Sequence, residues 1–467
     1  MRNIRAGLLL ACAFSLPASP AFAQPRDPWY EQGDFRPERR VAIHIRNPLD
    51  KARINSPVVI PWASLPMLHD LHELSITLVD PQGPPRPQPT PRMRANEGPH
   101  GRVAERNGRA FDYQLDDLDK DGIWDEMFFI ADFAPGETKT VYAYVGHNER
   151  GWNPHRTHAA IGSYMRHMVP FWESENVGWK LWFSTDADVF AKRKPQLMSN
   201  RLYMENLDGY AVSYLDPGLG SDIMQVDDSF GGGGIGVFDD PTDPARVSRP
   251  RFTPATAPEA RHNSGPLRDT RYAQEVIVNG PLRSKVRIRT MNWNSGHGAY
   301  ALEQTYTVHA GQDYALGEVR FSRFEPVALG ARLAVGIRKR PGEDNFFQQG
   351  GIVMTAAPET IRNPDDVERL QPDLKVAFAG SALIVPARFK PRYTFVAERG
   401  GNHVISIEPP EDLRFDYAIA AGWSEGAGPR TAEAFRDYVV RSAEELAHPV
   451  VLSAAEMEAK AGAARRP

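Results

Sequence analysis

Short apolar runs broken by proline, glycine and asparagine set the rhythm of the chain. Residues 41–45, 57–60, 74–78, 127–130 and 140–144 are runs of this kind, and in several of them apolar and polar positions alternate. Alternation with period two is the mark of half-buried strands. Strands at this spacing, with no helical pattern between them, predict a small β-sandwich over residues 24–150. A polar stretch, residues 146–158, marks the boundary. Longer runs follow at 177–183, 272–278, 284–293, 300–309 and 333–337, and they predict a large antiparallel β-domain over residues 155–450. Only one helix is predicted. Thr431 is its N-cap, and Phe435, Tyr438, Val439, Ala443 and Leu446 fall on one face before Pro449 stops it. Residues 451–467 read as a flexible polar tail. The fold class is therefore mainly β, with one helix near the C-terminus. The 40 prolines and 38 glycines fit a turn-rich chain of this class.

Two long segments lack any periodicity. Residues 81–91 are rich in proline and predict a surface loop. Residues 239–271 are rich in Pro and Arg and are long enough to be a lid or a disordered stretch.

The N-terminus changes the picture of where the protein works. Arg2 and Arg5, an apolar core at 6–16 and the Ala21-Phe22-Ala23 site predict an export signal over residues 1–23. The expected location is periplasmic or secreted. Cleavage would remove Cys12, the single cysteine, which excludes thiol catalysis and disulfides in the mature chain. The formal charge of −4 becomes about −6 once Arg2 and Arg5 are gone. That argues against nucleic acid as a partner. No later segment is long and apolar enough to insert in a membrane as a helix, and the oligomeric state is left open.

Candidate chemistry concentrates in residues 192–238. Lys192, Arg193 and Lys194 precede Pro195; Tyr203, Tyr210 and Tyr214 follow, then Asp222, Asp227 and Asp228, then glycines 231–234. Glycine allows backbone to approach something closely. Arg193 and Lys194 are suited to a sugar carboxylate, or are a solvated charge run. Tyr210 and His167 are candidates for proton transfer, Asp222 for orienting a cation or a sugar hydroxyl. Trp172, Glu173, Tyr214, Asp227 and His297 are candidate substrate-binding residues; packing or turn roles are the plain alternatives. Arg193, Lys194 and Tyr210 are expected to share one cavity with Asp222 or His167. No cofactor is required by this chemistry. No serine-hydrolase elbow, P-loop or dinucleotide fingerprint is present.

One loop carries a metal-like spacing. Asp117, Asp119, Asp121 and Asp125 occupy positions 1, 3, 5 and 9 of a calcium loop, with Gly122 at position 6. The position of the bidentate acid holds Phe128, so the loop is either a structural calcium site or an Asp-Gly turn feeding a strand.

Several segments together resemble an exported bacterial family classed as a domain of unknown function. They are RNPLD at 46–50, the 117–126 loop, FAPGETKTVYAYV at 133–145, FWESENVGWKLWF at 171–183, residues 192–238 and NGPLRSKVRIR at 279–289. Members of that family lie near unsaturated-glucuronyl hydrolases in polysaccharide-utilisation loci. The resemblance implies a galactose-mutarotase-like supersandwich for the second region and gives no catalytic residues to carry over. The expected function is β-elimination on uronic-acid-containing oligosaccharides, by a lyase or a terminal-uronate dehydratase. A glycoside hydrolase pairing Glu173 or Glu175 with Asp222 or Asp227 is the enzymatic alternative. A non-catalytic carbohydrate-binding protein is the other.

Overall fold

The computed structural model describes residues 27–84, 103–148, 153–164, 167–182, 186–200, 218–224, 226, 229–250, 270–361 and 373–460. The expected export signal and much of the two aperiodic segments lie outside these residues. The architecture is mainly β, in antiparallel sheets, with one long helix among the described residues, Ala432–Ala447, near the C-terminus.

The first region contains a five-stranded and a three-stranded sheet. Strands Arg39–Arg46, Thr138–Val145 and Ile76–Asp80 bury Val41, Ile43, Val141, Ala143 and Leu78 against Val58, Ile60, Met127 and Phe129 of Arg53–Pro61 and Glu126–Phe133. These are the alternating positions of the sequence, so pattern and packing agree.

The expected flexible tail is corrected here. Val451–Ala459 is a strand, added to the five-stranded sheet beside Arg39–Arg46. Its backbone is held by a partner some four hundred positions earlier in the chain, and no local pattern could show that.

The second region is dominated by an eight-stranded sheet. Its order is Arg271–Asn279, Arg283–Asn294, Gly298–His309, Tyr314–Pro326, Arg414–Trp423, Leu374–Ile384, Ile352–Ile361 and Asn345–Gln349. One face packs its Val286, Ile288, Leu302, Tyr306, Val319 and Tyr417 into the main core. Opposing it are a five-stranded sheet (Thr157–Tyr164, His167–Ser174, Val177–Trp182, Asp186–Lys192, Gly220–Asp222) and a four-stranded sheet (Gly234–Phe238, Arg332–Arg338, Asn402–Ile407, Arg392–Val396). The helix covers part of the other face, seating Phe435, Tyr438 and Val439 on Phe378, Ala382, Ala418 and Ala420. Thr431 caps it, its hydroxyl accepting from the Ala434 N–H at 3.1 Å.

The two regions interlock at Arg283. Its guanidinium donates to Asp116 and, at 2.7 Å, to Glu126, and it lies 4.5 Å from the Phe128 ring centroid. Gln114 accepts from the backbone N–H groups of Leu282 and Arg283 at 3.0 and 2.9 Å.

Candidate functional site

The residues singled out from sequence scatter into different environments. In the strand Asp186–Lys192, Ala187, Val189 and Ala191 join the main core, so Asp188, Phe190 and Lys192 face the other way. On that second face His158 pairs across to Glu173, Glu173 to Gly178, Gly178 to Phe190, and Phe190 to Asp222. Lys192 is therefore no solvated cation. Its side chain is fully buried and makes an ion pair with Glu173. The Glu173 oxygens also accept from the Met198 and Ser199 N–H groups, at 3.0 Å each at closest, and from the Ser199 hydroxyl. Burial alone would raise this carboxyl; Lys192, His158 and Ser199 outweigh it and hold it at about 2. A carboxylate so occupied has no lone pair aimed at a substrate, which corrects Glu173 as a sugar-binding group. Trp172 is corrected too. It is fully buried and stacks on Tyr306 with ring centroids 4.2 Å apart, leaving no face for a sugar.

Asp222 sits in a second buried cluster. Burial and the neighbouring Asp188 push its carboxyl well above the usual range, against the pull of Lys180 and Arg340. Lys180 pairs with Asp188 at 2.8 Å, and the Met224 N–H donates to Asp222 at 2.9 Å. Arg193 points elsewhere: it lies 3.7 Å from Glu425 and 5.4 Å from the Trp423 ring centroid. Lys194 is exposed. Among the described residues no ion pair or hydrogen bond joins Arg193 or Lys194 to Asp222, so the structure does not bring those three together. His297 lies in the turn before Gly298, half-buried, with its Nε2 3.2 Å from Asp240. His167 opens the strand His167–Ser174, and its side chain lies outside the described residues, as do Tyr203, Tyr210, Tyr214, Asp227 and Asp228. The glycine run approaches the protein's own core, not a ligand. A Cβ on Gly231 (φ 55°) would lie 2.5 Å from the Ala187 carbonyl, and one on Gly233 2.5 Å from Ile419.

The acidic loop brings carboxylate oxygens of Asp117, Asp119 and Asp125 within 4.8 Å of one another, and Asp121 is not part of that group. These three are the residues that could hold a cation. Their oxygens are also turn caps: Asp117 accepts from Lys120 and Gly122 N–H at 2.6 and 3.0 Å, and Asp125 from Leu118 N–H at 2.6 Å. Phe128 is buried in the strand that follows.

A different constellation forms where two sheet edges meet. Arg392–Val396 is the edge strand of the four-stranded sheet, and Asn345–Gln349 that of the eight-stranded one. The alternation of Tyr393 and Phe395 puts both on one side, with Phe395 directly opposite His403. The Tyr393 hydroxyl is 2.9 Å from His403 Nδ1, and His403 Nε2 is 2.8 Å from Glu343. Glu343 is the acceptor in this network, so Nε2 donates to it and Nδ1 accepts the phenol proton; this tautomer is assigned from the network. Glu343 also accepts from Thr355 Oγ1 at 2.5 Å, and Thr355 Oγ1 accepts from the Arg340 N–H at 3.0 Å. Burial depresses His403 below its usual value, only partly offset by Glu343. Burial and Glu343 raise the Tyr393 phenol. At rest the phenol is protonated and the imidazole neutral.

The surroundings suit a flat, partly apolar ligand. Phe346 stacks on His403, centroids 4.7 Å apart, and both Phe346 and Phe395 are 46% exposed. The Lys339 ammonium lies 5.9 Å from the Phe395 centroid and makes no ion pair with a described residue. Gly401 (φ 89°) makes room, since a Cβ there would meet the Phe395 ring at 2.8 Å.

The sequence profile described as "Domain of unknown function (DUF4861)" matches residues 45–452. The chain belongs to the DUF4861 family. Among curated proteins, none matches its sequence. Two solved structures are similar at low identity. An alpha-mannosidase from Enterococcus faecalis V583 has a TM-score of 0.45 at 10% identity, covering 90% of this chain and 46% of its own. A glycosyl hydrolase family 38 protein from Enterococcus faecalis has a TM-score of 0.44 at 9% identity, covering 90% and 47%. The DUF4861 chain thus spans about half the length of either.

Lys180, Asp188, Arg340, Glu343, Tyr393 and His403 of this DUF4861 protein escaped the sequence reading. Lys180 and Asp188, like Tyr393 and His403, sit on adjacent strands of one hairpin, but Arg340 and Glu343 reach these pairs only through tertiary packing; the local trace is the Tyr393-x-Phe395 alternation.

Proposed function

We propose that this DUF4861 protein is a carbohydrate-active enzyme acting on uronic-acid-containing oligosaccharides by β-elimination. The leaving group would be either a sugar, in a lyase, or water, in a terminal-uronate dehydratase. The observation that supports this is the Tyr393–His403–Glu343 relay with Lys339 beside it and two exposed phenylalanine rings around it. Uronate elimination needs a cation near the carboxylate, a base for the C5 proton and an acid for the oxygen on C4. Lys339 would supply the first. Tyr393 would pass its proton to His403, whose imidazolium Glu343 stabilises, and the phenolate would take the C5 proton. The C5–H and C4–O bonds would break and the C4–C5 double bond form; Tyr393 would hand the proton taken from C5 to the departing oxygen and regain its own from His403, restoring the neutral phenol and imidazole. Phe346 and Phe395 would lie against the apolar face of the sugar ring. The galactose-mutarotase-like supersandwich belongs to the same reading, supported by the wide antiparallel sheet set against smaller ones. Mass spectrometry of uronate oligosaccharides before and after incubation tests it. Loss of water, or scission without added water, is expected; scission with added water would mean hydrolysis, and binding alone a non-catalytic protein.

A further inference from the structure

A groove of about 460 Å³ lies on the outer face of the eight-stranded sheet, the face that also carries the helix. That size falls among sites that bury small ligands, roughly 300–1,000 Å³. Its floor comes from Gly298–His309, Tyr314–Pro326 and Arg414–Trp423, and Arg388 and Phe389 form one wall. The charges on that floor are arranged against stability. Arg320 stands directly opposite Arg414, and two residues along Glu318 stands directly opposite Asp416. Directly facing residues on antiparallel strands have Cβ atoms about 4.5–5.5 Å apart, and like charges there repel. Exchanging the two residues on either strand would give two attractive rows instead.

Neighbouring groups relieve the acids more than the arginines. Asp416 is paired with Arg388. Glu303, which faces Arg320 across the sheet, is engaged by Arg287 and Arg289 at 3.4 and 3.0 Å. The Asp412 carboxylate caps the Arg414 backbone N–H at 3.2 Å. Neither Arg320 nor Arg414 makes an ion pair with any described residue, and both are exposed. Two arginines facing each other across neighbouring strands and lining one groove each offer N–H donors in a planar fork, the geometry a carboxylate fills.

We propose that Arg320 and Arg414 bind the carboxylate of an acidic sugar residue, at a subsite separate from the Tyr393 relay. Glu318 and Asp412 on the groove lining are acceptors for that sugar's hydroxyls. The subsite rests on reading the substrate as uronate-containing. One continuous segment joins it to the relay: Ala387–Phe389 walls the groove, and Arg392–Val396 carries Tyr393 and Phe395. An oligosaccharide could thus be held at one acidic residue while another meets the phenol.

Binding of D-glucuronate, D-glucose and sodium sulfate, at matched ionic strength, to the full mature chain tests this. The wild type and Tyr393→Phe should bind glucuronate alike, with glucose and sulfate at least tenfold weaker. The double variant Arg320→Gln, Arg414→Gln should bind glucuronate at least tenfold more weakly. It should melt no lower than wild type, because the two changes together remove the one Arg320–Arg414 opposition. Equal glucuronate binding by the double variant overturns the subsite, as does sulfate binding as tightly as glucuronate, which marks a general anion site. No uronate turnover together with glucuronate binding lost in the double variant would leave the subsite standing and remove the elimination.

Discussion

At the scale of single residues, chemistry that looked exposed in the sequence is largely interior. Arg193 and Lys194 read from sequence as carboxylate-binding groups or a solvated run, and they do stay at or near the surface, while Lys192 before them ends the strand and turns its side chain inward to Glu173. Alternation along Asp186–Lys192 was visible; the side that would be buried was not, because both faces of the five-stranded sheet are covered. Removing one partner from a buried ion pair strands the other. Lys192→Met should therefore destabilise the protein by about 3–5 kcal/mol, measured by urea denaturation. A loss below about 1 kcal/mol would show that Glu173 finds other compensation. Trp172 teaches the same lesson: an aromatic that could stack on a sugar stacks on Tyr306 instead.

At the scale of elements, the strands and the helix were legible because their signals are local. Thr431 and the apolar face from Phe435 to Leu446 mark the helix, and alternation marks strands such as Arg39–Arg46. The strand Val451–Ala459 was not legible, since its order comes from pairing with Arg39–Arg46. Helix docking also creates a titrating group. Asp313, just before the strand Tyr314–Pro326, has its N–H donating to the Tyr438 hydroxyl at 2.8 Å. Burial, then the charge of Glu175, raises its carboxyl from 3.8 to about 7. A folded value raised above the unfolded one gives stability that is complete below the unfolded value and is lost as pH rises through about 7. The melting temperature should therefore fall between pH 5 and pH 8, and Asp313→Asn should flatten that fall. An unchanged slope in the variant would contradict the assignment.

At the scale of the whole molecule, the two regions are locked by Arg283, Gln114 and the returning strand Val451–Ala459. The lock was partly hidden, because Asp116, Glu126 and Arg283 meet only through tertiary packing. The acidic loop lies beside that lock, with Lys120 reaching across to donate to the Ile277 carbonyl at 2.5 Å. Its aspartates already cap their own turn, and only three of them converge, against the six to eight oxygens calcium takes. A chelator should leave the melting temperature unchanged; a drop that added calcium reverses would place an ion at Asp117, Asp119 and Asp125.

The central claim is that the meeting edges of two sheets form a proton-transfer site for an acidic sugar. Its most direct measurement compares wild type with Tyr393→Phe on uronate oligosaccharides, reading product masses and bound substrate together. The phenol deletion removes the proton carrier and leaves Phe346, Phe395 and Lys339 in place. The account predicts wild-type products formed without added water, a loss of turnover of at least about a hundredfold in the variant, and nearly unchanged binding. Full activity in Tyr393→Phe, or wild-type products that have gained water, would contradict it.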